Sequence, residues 1–523
     1  MRERPSPSTL QTFLILFSLL ASMANAAAEG NRAASAPPQS AGQQPAPLAP
    51  SVDATPSVRP RPANTKLCAA CIRANMDFLA SDALRGRGSA TADELVAATY
   101  VGAQLEQYGV EPAGDNGTYV QRATLVRQTL TAPPELHYTA HGTPSQTVTW
   151  THGKEMLVVV LNDVHFRGAL KRFNADQSSG TSQEKHAGTA PVGKSFEGRV
   201  VLITGQDHKK IHAAVFAAIE QGAIAVIEAA SPQLLDSWEV RGKVLPELPV
   251  QLEGEAQAGL GVDGNVFAVN EKTLETLRDI PDGVIFSMDA AASAPHKSNT
   301  WNALGKLPGS DPSLNKSALL LSAHLDHVGV GKPVKGDSIY NGADDDASGV
   351  VAVLELARTL ASGARPKRPV LFALFGSEEL GGLGSAWFQA HPPIPLEEIA
   401  VNLEFEMIGR PDPEYPADSL WLSGWERSNL GPILAEHGAK LVGDKRPEQN
   451  FFRRSDNYVL AKKGIVAQTA SSYGMHSDYH QPSDDIAHID FKHMTDAVGS
   501  LIAPIEWLVN SDFRPAWKPG GKP

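Results

Sequence analysis

Apolar residues recur at helical spacing in two early stretches, Ile72, Met76, Phe78, Leu79 and then Leu95, Ala98, Val101, Leu105, which predicts two helices between about Leu67 and Tyr108. The run Arg85-Gly86-Arg87-Gly88 breaks them apart. From about Thr131 to Asp282 the pattern shortens to β-rich runs punctuated by turns. Within it, Gly193 to Ile203 reads as a loop entering a strand, His212 to Gly222 as a helix, and Ala223 to Glu228 as another strand. After about Val284 the pattern alternates. Leu319 to Ser322 reads as a buried strand, Val350 to Leu360 as a helix, Val370 to Phe375 as a strand, Leu383 to Gln389 as a helix, and Ala400 to Phe405 as a strand. Continuous apolar strands alternating with amphipathic helices predict an α/β fold, a three-layer αβα domain around a mixed, mainly parallel sheet. The β-rich stretch then reads as a separate module inserted into it.

A chain of 523 residues is too long for one core and predicts two or three domains. Its start, Met1-Arg2-Glu3-Arg4, then the apolar run Phe13 to Ala21, then Ala24-Asn25-Ala26, has the three parts of a secretory signal peptide, with cleavage expected after Ala26. The run is too short for a permanent membrane span, and no cysteine stands at the junction to carry a lipid. A secreted or periplasmic, soluble mature protein is therefore expected. Residues 27–65, rich in Ala, Pro, Ser and Gln, cannot bury enough surface to offset ordering and read as a disordered linker. The expected division is a signal peptide over 1–26, the linker over 27–65, an α/β domain over 66–135 and 286–515, and the inserted β-rich domain over 136–285. A formal net charge of -12 supplies no basic stripe, which disfavours nucleic acid and anionic membranes as partners. Cys68 and Cys71, the two cysteines, form a lone C-x-x-C that reads as a local disulfide or an idle pair.

The alternating region carries ligand chemistry where its strands end. Ala323-His324-Leu325-Asp326 is followed by Asn341-Gly342-Ala343-Asp344-Asp345-Asp346, by Glu378-Glu379, by Glu404 and Glu406, and by Asp478-Tyr479-His480. Open α/β sheets place their ligand crevices at the carboxyl ends of strands, so these residues are expected to converge. A lone histidine on an apolar strand is usually a core group, and paired glutamates are usually a helix start. Two imidazoles and three carboxylates with one carboxylate to spare are instead the inventory of a two-metal hydrolase that keeps a free general base.

The ordered motifs AHLDHVG, YNGADDDASG, GSEELGGLGS, a carboxylate before Met-Ile-Gly, and DYHQPSDD resemble the M28 family of zinc aminopeptidases and carboxypeptidases, from about Leu67 to Leu508. The insert resembles a protease-associated (PA) domain through GKSFEGRVVLITG and Gln221 to Ile227. The first resemblance implies two Zn2+ ions per chain, with His324 and Glu406 on one, Glu379 and His480 on the other, and Asp345 bridging. Two nearby dications repel unless negative oxygens lie between them. It also implies a cis peptide between Asp345 and Asp346. Asp326 would accept the other N–H of the His324 ring. Glu378 would be the general base, taking a proton from the metal-bridging water and passing it to the leaving amine. Tyr479 would donate to the oxyanion, with Tyr473 competing for that role.

His327, His391 and His476 match no ligand position and read as surface or pocket-wall residues. Asp484-Asp485 read as caps of the next segment, and Arg453-Arg454 as pocket lining or exposed. Many relatives carry Asp before Met-Ile-Gly. Here Glu406 stands there, with Glu404 two residues earlier on the same strand face, which leaves the choice of ligand open. The function implied is an exported zinc-dependent exopeptidase, an aminopeptidase acting on the N-terminal residues of peptides. The rivals on the same residues are a carboxypeptidase for acidic dipeptides, a one-zinc glutaminyl cyclase, and an inactive binding ectodomain. A free carboxylate beside the metal argues against the last.

Overall fold

A ten-stranded mixed sheet frames the site. The computed structural model describes residues 67–140, 146–177, 195–255 and 264–523. The expected signal peptide and linker, and Gly193-Lys194 of the insert, lie outside them.

Four strands at the centre of this sheet, Val466–Ser471, Ile399–Phe405, Ala318–His324 and Val370–Phe375, run parallel. Every residue of Ala318–His324 and Val370–Phe375 is buried, as both faces of the sheet are covered. Alternate side chains supply the two faces. Leu319 and Leu321 pack with the helices Ala69–Leu79, Ala92–Tyr108, Gly349–Ser362 and Phe491–Asn510. Leu320 packs with Phe388 and Leu460, from the helices Leu383–Ala390 and Asn457–Lys462 on the other side. The architecture is the expected three layers.

The expectation of a mainly parallel sheet needs correction. The long strand His296–Leu307 pairs antiparallel with both Val370–Phe375 and Val120–Arg127, and Leu420–Leu422 pairs antiparallel with Val466–Ser471. Alternation of strand and helix, the signature of parallel pairing, holds only from Ala318 onward. The strands 120–127 and 296–307 bracket the β-rich stretch and pair directly with each other.

The β-rich stretch forms an eight-stranded sheet from Glu135–Ala140 to Ile285–Asp289, with apolar clusters of its own. Its helix begins at His208, earlier than the apolar pattern suggests, because the Asp207 side chain caps it by accepting the N–H groups of Lys209 and Lys210. Inside this stretch, Gln251–Leu252 leaves for the first sheet and pairs with Leu125 and Val126. A two-residue strand leaves no periodicity to read. Cys68 and Cys71 form a disulfide at the start of the helix Ala69–Leu79.

Candidate metal centre

The parallel centre of the sheet brings the chemical residues to one edge. His324 ends its strand, Glu378 and Glu379 follow Val370–Phe375 after a two-residue turn, and Glu406 directly follows Ile399–Phe405. His480 lies beyond Val466–Ser471, and Asp345 lies in the loop before the helix Gly349–Ser362.

Two groups of potential ligand atoms form there, each with its atoms within 4.8 Å of one another: His324, Asp345 and Glu406, and His327, Asp345, Glu379 and His480. Asp345 belongs to both. Its Oδ1 is 3.0 Å from His324 Nε2, and its Oδ2 is 3.2 Å from His480 Nε2 and 3.7 Å from His327 Nδ1. His480 Nε2 is also 3.1 Å from Glu379 Oε2. His324 Nε2 and Asp345 Oδ2 are buried and hydrogen-bonded to nothing, although each faces opposite polarity at close range. Imidazole nitrogens and carboxylate oxygens that converge this closely suit a cation between them, and imidazole with carboxylate suits zinc.

Neighbouring acids hold the backbone instead of a ligand position. Asp346 accepts the N–H groups of His324, Gly349 and Met407 at 3.2, 3.0 and 3.1 Å. Asp344 accepts the Gly409 N–H at 2.7 Å and faces His476 Nε2 at 3.0 Å. Of the three aspartates, Asp345 alone faces both groups, and the peptide between it and Asp346 is cis. Gly342 makes the loop possible. Its φ is +58°, and an added Cβ would lie 2.2 Å from the Asp345 carbonyl oxygen and 2.5 Å from the His327 ring.

Glu378 and Glu379 start from Ser377, whose φ is +50°. Buried Glu94 fixes this turn by accepting the Ser377 N–H at 2.8 Å. Burial pushes the Glu378 carboxyl well above its ordinary range, and the carboxylates of Asp456, Glu379 and Glu406 push the same way against His324. Burial would raise Glu379 too, but the His480 charge and hydrogen bonds from His327 and His480 hold it at about 2. The Tyr479 ring stacks on His480 at 3.9 Å between centroids, and burial raises its hydroxyl well above the usual phenol range. Tyr473 lies behind it, 5.5 Å away between centroids.

A model of peptidase family M28 matches residues 302–504, which takes in every one of these ligand positions. Residues 302–504 are thus a peptidase family M28 segment. Leupeptin-inactivating enzyme 1 of Streptomyces exfoliatus is 35% identical over 117 residues, 22% of this chain and 24% of that protein. The probable lipoprotein aminopeptidase LpqL of Mycobacterium tuberculosis is 29% identical over 208 residues, 33% of this chain and 39% of that protein. The chain thus spans well under half the length of these relatives. Among solved structures, an aminopeptidase from Aneurinibacillus sp. strain AM-1 aligns over 85% of this chain and 94% of its own, at 17% identity and a TM-score of 0.46.

Several residues sit differently from their reading in sequence. His327 is neither surface nor pocket wall. It is fully buried, and its Nδ1 lies 2.7 Å from Glu379 Oε1 within the second ligand group. Asp326 meets the His324 ring through its backbone and not through its carboxylate. The Asp326 backbone carbonyl lies 3.2 Å from His324 Nδ1, while the carboxylate, 4.0 Å away, accepts the Glu378 N–H at 2.9 Å and the Ser89 hydroxyl. Two N–H or O–H donors outcompete one there.

Asp484 is not a cap. It is buried and accepts the N–H groups of Asp344 and Asp345 at 3.0 and 3.1 Å, and Asp485 alone caps the next turn. Glu404 and Glu406 do not share an environment, because the strand ends at Phe405. Glu404 accepts from Ser455, Asn457 and Thr469, and Glu406 turns toward His324 and Asp345. His391 stacks on Trp387, Arg453 pairs with Glu220 of the β-rich stretch, and Arg454 lies over the Phe451 ring. Arg87 was invisible in sequence except as part of a helix break. It donates to carbonyls in both loops that carry ligands.

Proposed function

We propose that this chain is an exported, two-zinc aminopeptidase that removes N-terminal residues from peptides. One observation carries the reading: His324, Asp345, Glu379, Glu406 and His480 converge in two groups that share Asp345, and Glu378 stands beside them without belonging to either. His324 and Glu406 would hold one ion and Glu379 and His480 the other, with His327 beside the second. Zinc in such a site supplies Lewis acidity toward a carbonyl and lowers the pKa of water.

The chain's own residues supply the rest. Glu378, kept receptive to protons by burial among other carboxylates, takes a proton from the attacking water at its carboxylate and returns it to the leaving amine. Tyr479 donates its hydroxyl to the oxygen on which charge develops. Glu94 and Asp326, through the Ser377 and Glu378 amides, hold Glu378 in register. The leader over 1–26, the tether over 27–65 and the PA-like character of 136–285 belong to the same reading. The Arg453–Glu220 pair ties the insert to the loop beside Arg454 and supports a role for the insert in limiting substrate access.

A substrate profile tests the proposal. Unblocked aminoacyl amides should be hydrolysed, and N-blocked and C-terminal test substrates should not. Turnover confined to C-terminal acidic dipeptides would replace aminopeptidase with carboxypeptidase.

A further inference from the structure

Arg87 is fully buried, and its guanidinium lies between the two loops that present His324 and Asp345. It donates from Nε to the Leu325 carbonyl at 2.9 Å, from Nη1 to those of Leu79 and Asn341 at 2.6 and 2.7 Å, and from Nη2 to that of Gly342 at 2.9 Å. Leu325 adjoins His324, and Gly342 lies three residues before Asp345. The second loop is held from its other side as well, since Asp484 accepts the amides of Asp344 and Asp345. Asp326, Asp345, Asp346 and Asp484 all stand close enough to stabilise the Arg87 charge.

A merely space-filling role would be served by an apolar side chain at less desolvation cost. A planar fork of N–H donors is what four carbonyls on three segments require. Like-charged carboxylates also need a positive charge near them while no metal is bound.

We propose that Arg87 is a positioning residue for the metal centre: it fixes the His324 and Asp345 loops before any cation arrives, so that the site is preformed. The inference rests on the zinc reading above.

The test compares the wild type with Arg87→Met and Arg87→Lys by chelator competition for zinc, and follows backbone amide exchange at 341–349 in the chelated wild-type protein. Loss of an outer partner of this kind lowers metal affinity by roughly 10–100-fold, which is the loss expected for Arg87→Met. Arg87→Lys, with the charge but not the fork, should fall between. The Asp344 and Asp345 amides should stay protected in the chelated wild type.

Unchanged zinc affinity in folded variants, with melting temperature lowered equally with and without zinc, would reduce Arg87 to a structural residue and overturn the proposal. If the Met variant does not fold, the Lys variant and the exchange data decide. Amides that become protected only on adding zinc would overturn preformation. A wild-type chain that binds no zinc at all would instead overturn the reading of the site, and the inference with it.

Discussion

His327 Nδ1 lies 2.7 Å from Glu379 Oε1, with the His327 ring fully buried against the site. That contact makes His327 either an additional donor in the second ligand group or the group that aims Glu379 at its ion. Either way its loss is felt by the metal. His327→Ala should lower zinc affinity by roughly 10–100-fold, and His480→Ala should abolish activity and lower occupancy outright. His476→Ala should keep its zinc, since His476 contacts Asp344 and neither residue belongs to either group. Zinc analysis of the three variants checks this. Equal metal loss in the His476 and His480 variants would show that the last motif has been misread.

Glu378 is assigned to proton transfer. Glu378→Gln should therefore cut kcat by roughly 10²–10⁴-fold, the scale of general acid–base catalysis, with zinc content unchanged. Zinc loss in that variant would make Glu378 a ligand.

Glu404 and Glu406 separate along the same lines. Glu406→Gln should lose zinc. Glu404→Gln should retain it but lower stability by about 1–3 kcal/mol, because buried donors from Ser455, Asn457 and Thr469 lose one of two acceptor oxygens. Thermal melts together with metal content distinguish the two, and the reverse pattern would exchange their roles.

The pH dependence of the zinc-free protein follows from two opposed shifts. Burial would lower His480, but the Glu379 charge and the Asp345 carboxylate raise it from 6.5 to about 10. Its contribution to stability is complete below pH 6.5 and is lost as pH rises through about 10. Glu379 moves from 4.5 to about 2, so its contribution is present above pH 4.5 and is lost as pH falls through about 2. Zinc must displace the His480 proton, so uptake near neutral pH should release a proton and affinity should rise with pH. Calorimetric zinc titrations in buffers of different ionisation enthalpy measure that release. The same release from His480→Ala would contradict it.

Much of this was legible in sequence for a physical reason. The apolar runs 319–322, 370–375 and 400–405 are buried on both faces, so they announce themselves as central strands, and their ends announce the edge where ligands gather. What sequence hid depends on where the chain goes after a strand ends. Strand alternation puts Glu404 and Glu406 on one face, yet the strand stops between them. His327 and Asp484 acquire their partners only through loops that fold back from 52 and 139–140 positions away. Arg87 is the extreme case, since its carbonyl partners at 325, 341 and 342 carry no side-chain signal at all. The antiparallel pairing of strands 120–127 and 296–307 escaped because the whole insert lies between them in sequence.

Metal count and activity measured on one preparation test the central claim most directly. A peptidase of the kind proposed needs both ligand groups filled, whereas a cyclase on the same residues needs only one amide carbonyl polarised. The purified chain, saturated with zinc, should carry about two ions, hydrolyse an unblocked aminoacyl amide, and lose that activity to a chelator and regain it with zinc. About one ion per saturated chain, with N-terminal glutamine converted to a ring product and no amide hydrolysed, would contradict the account.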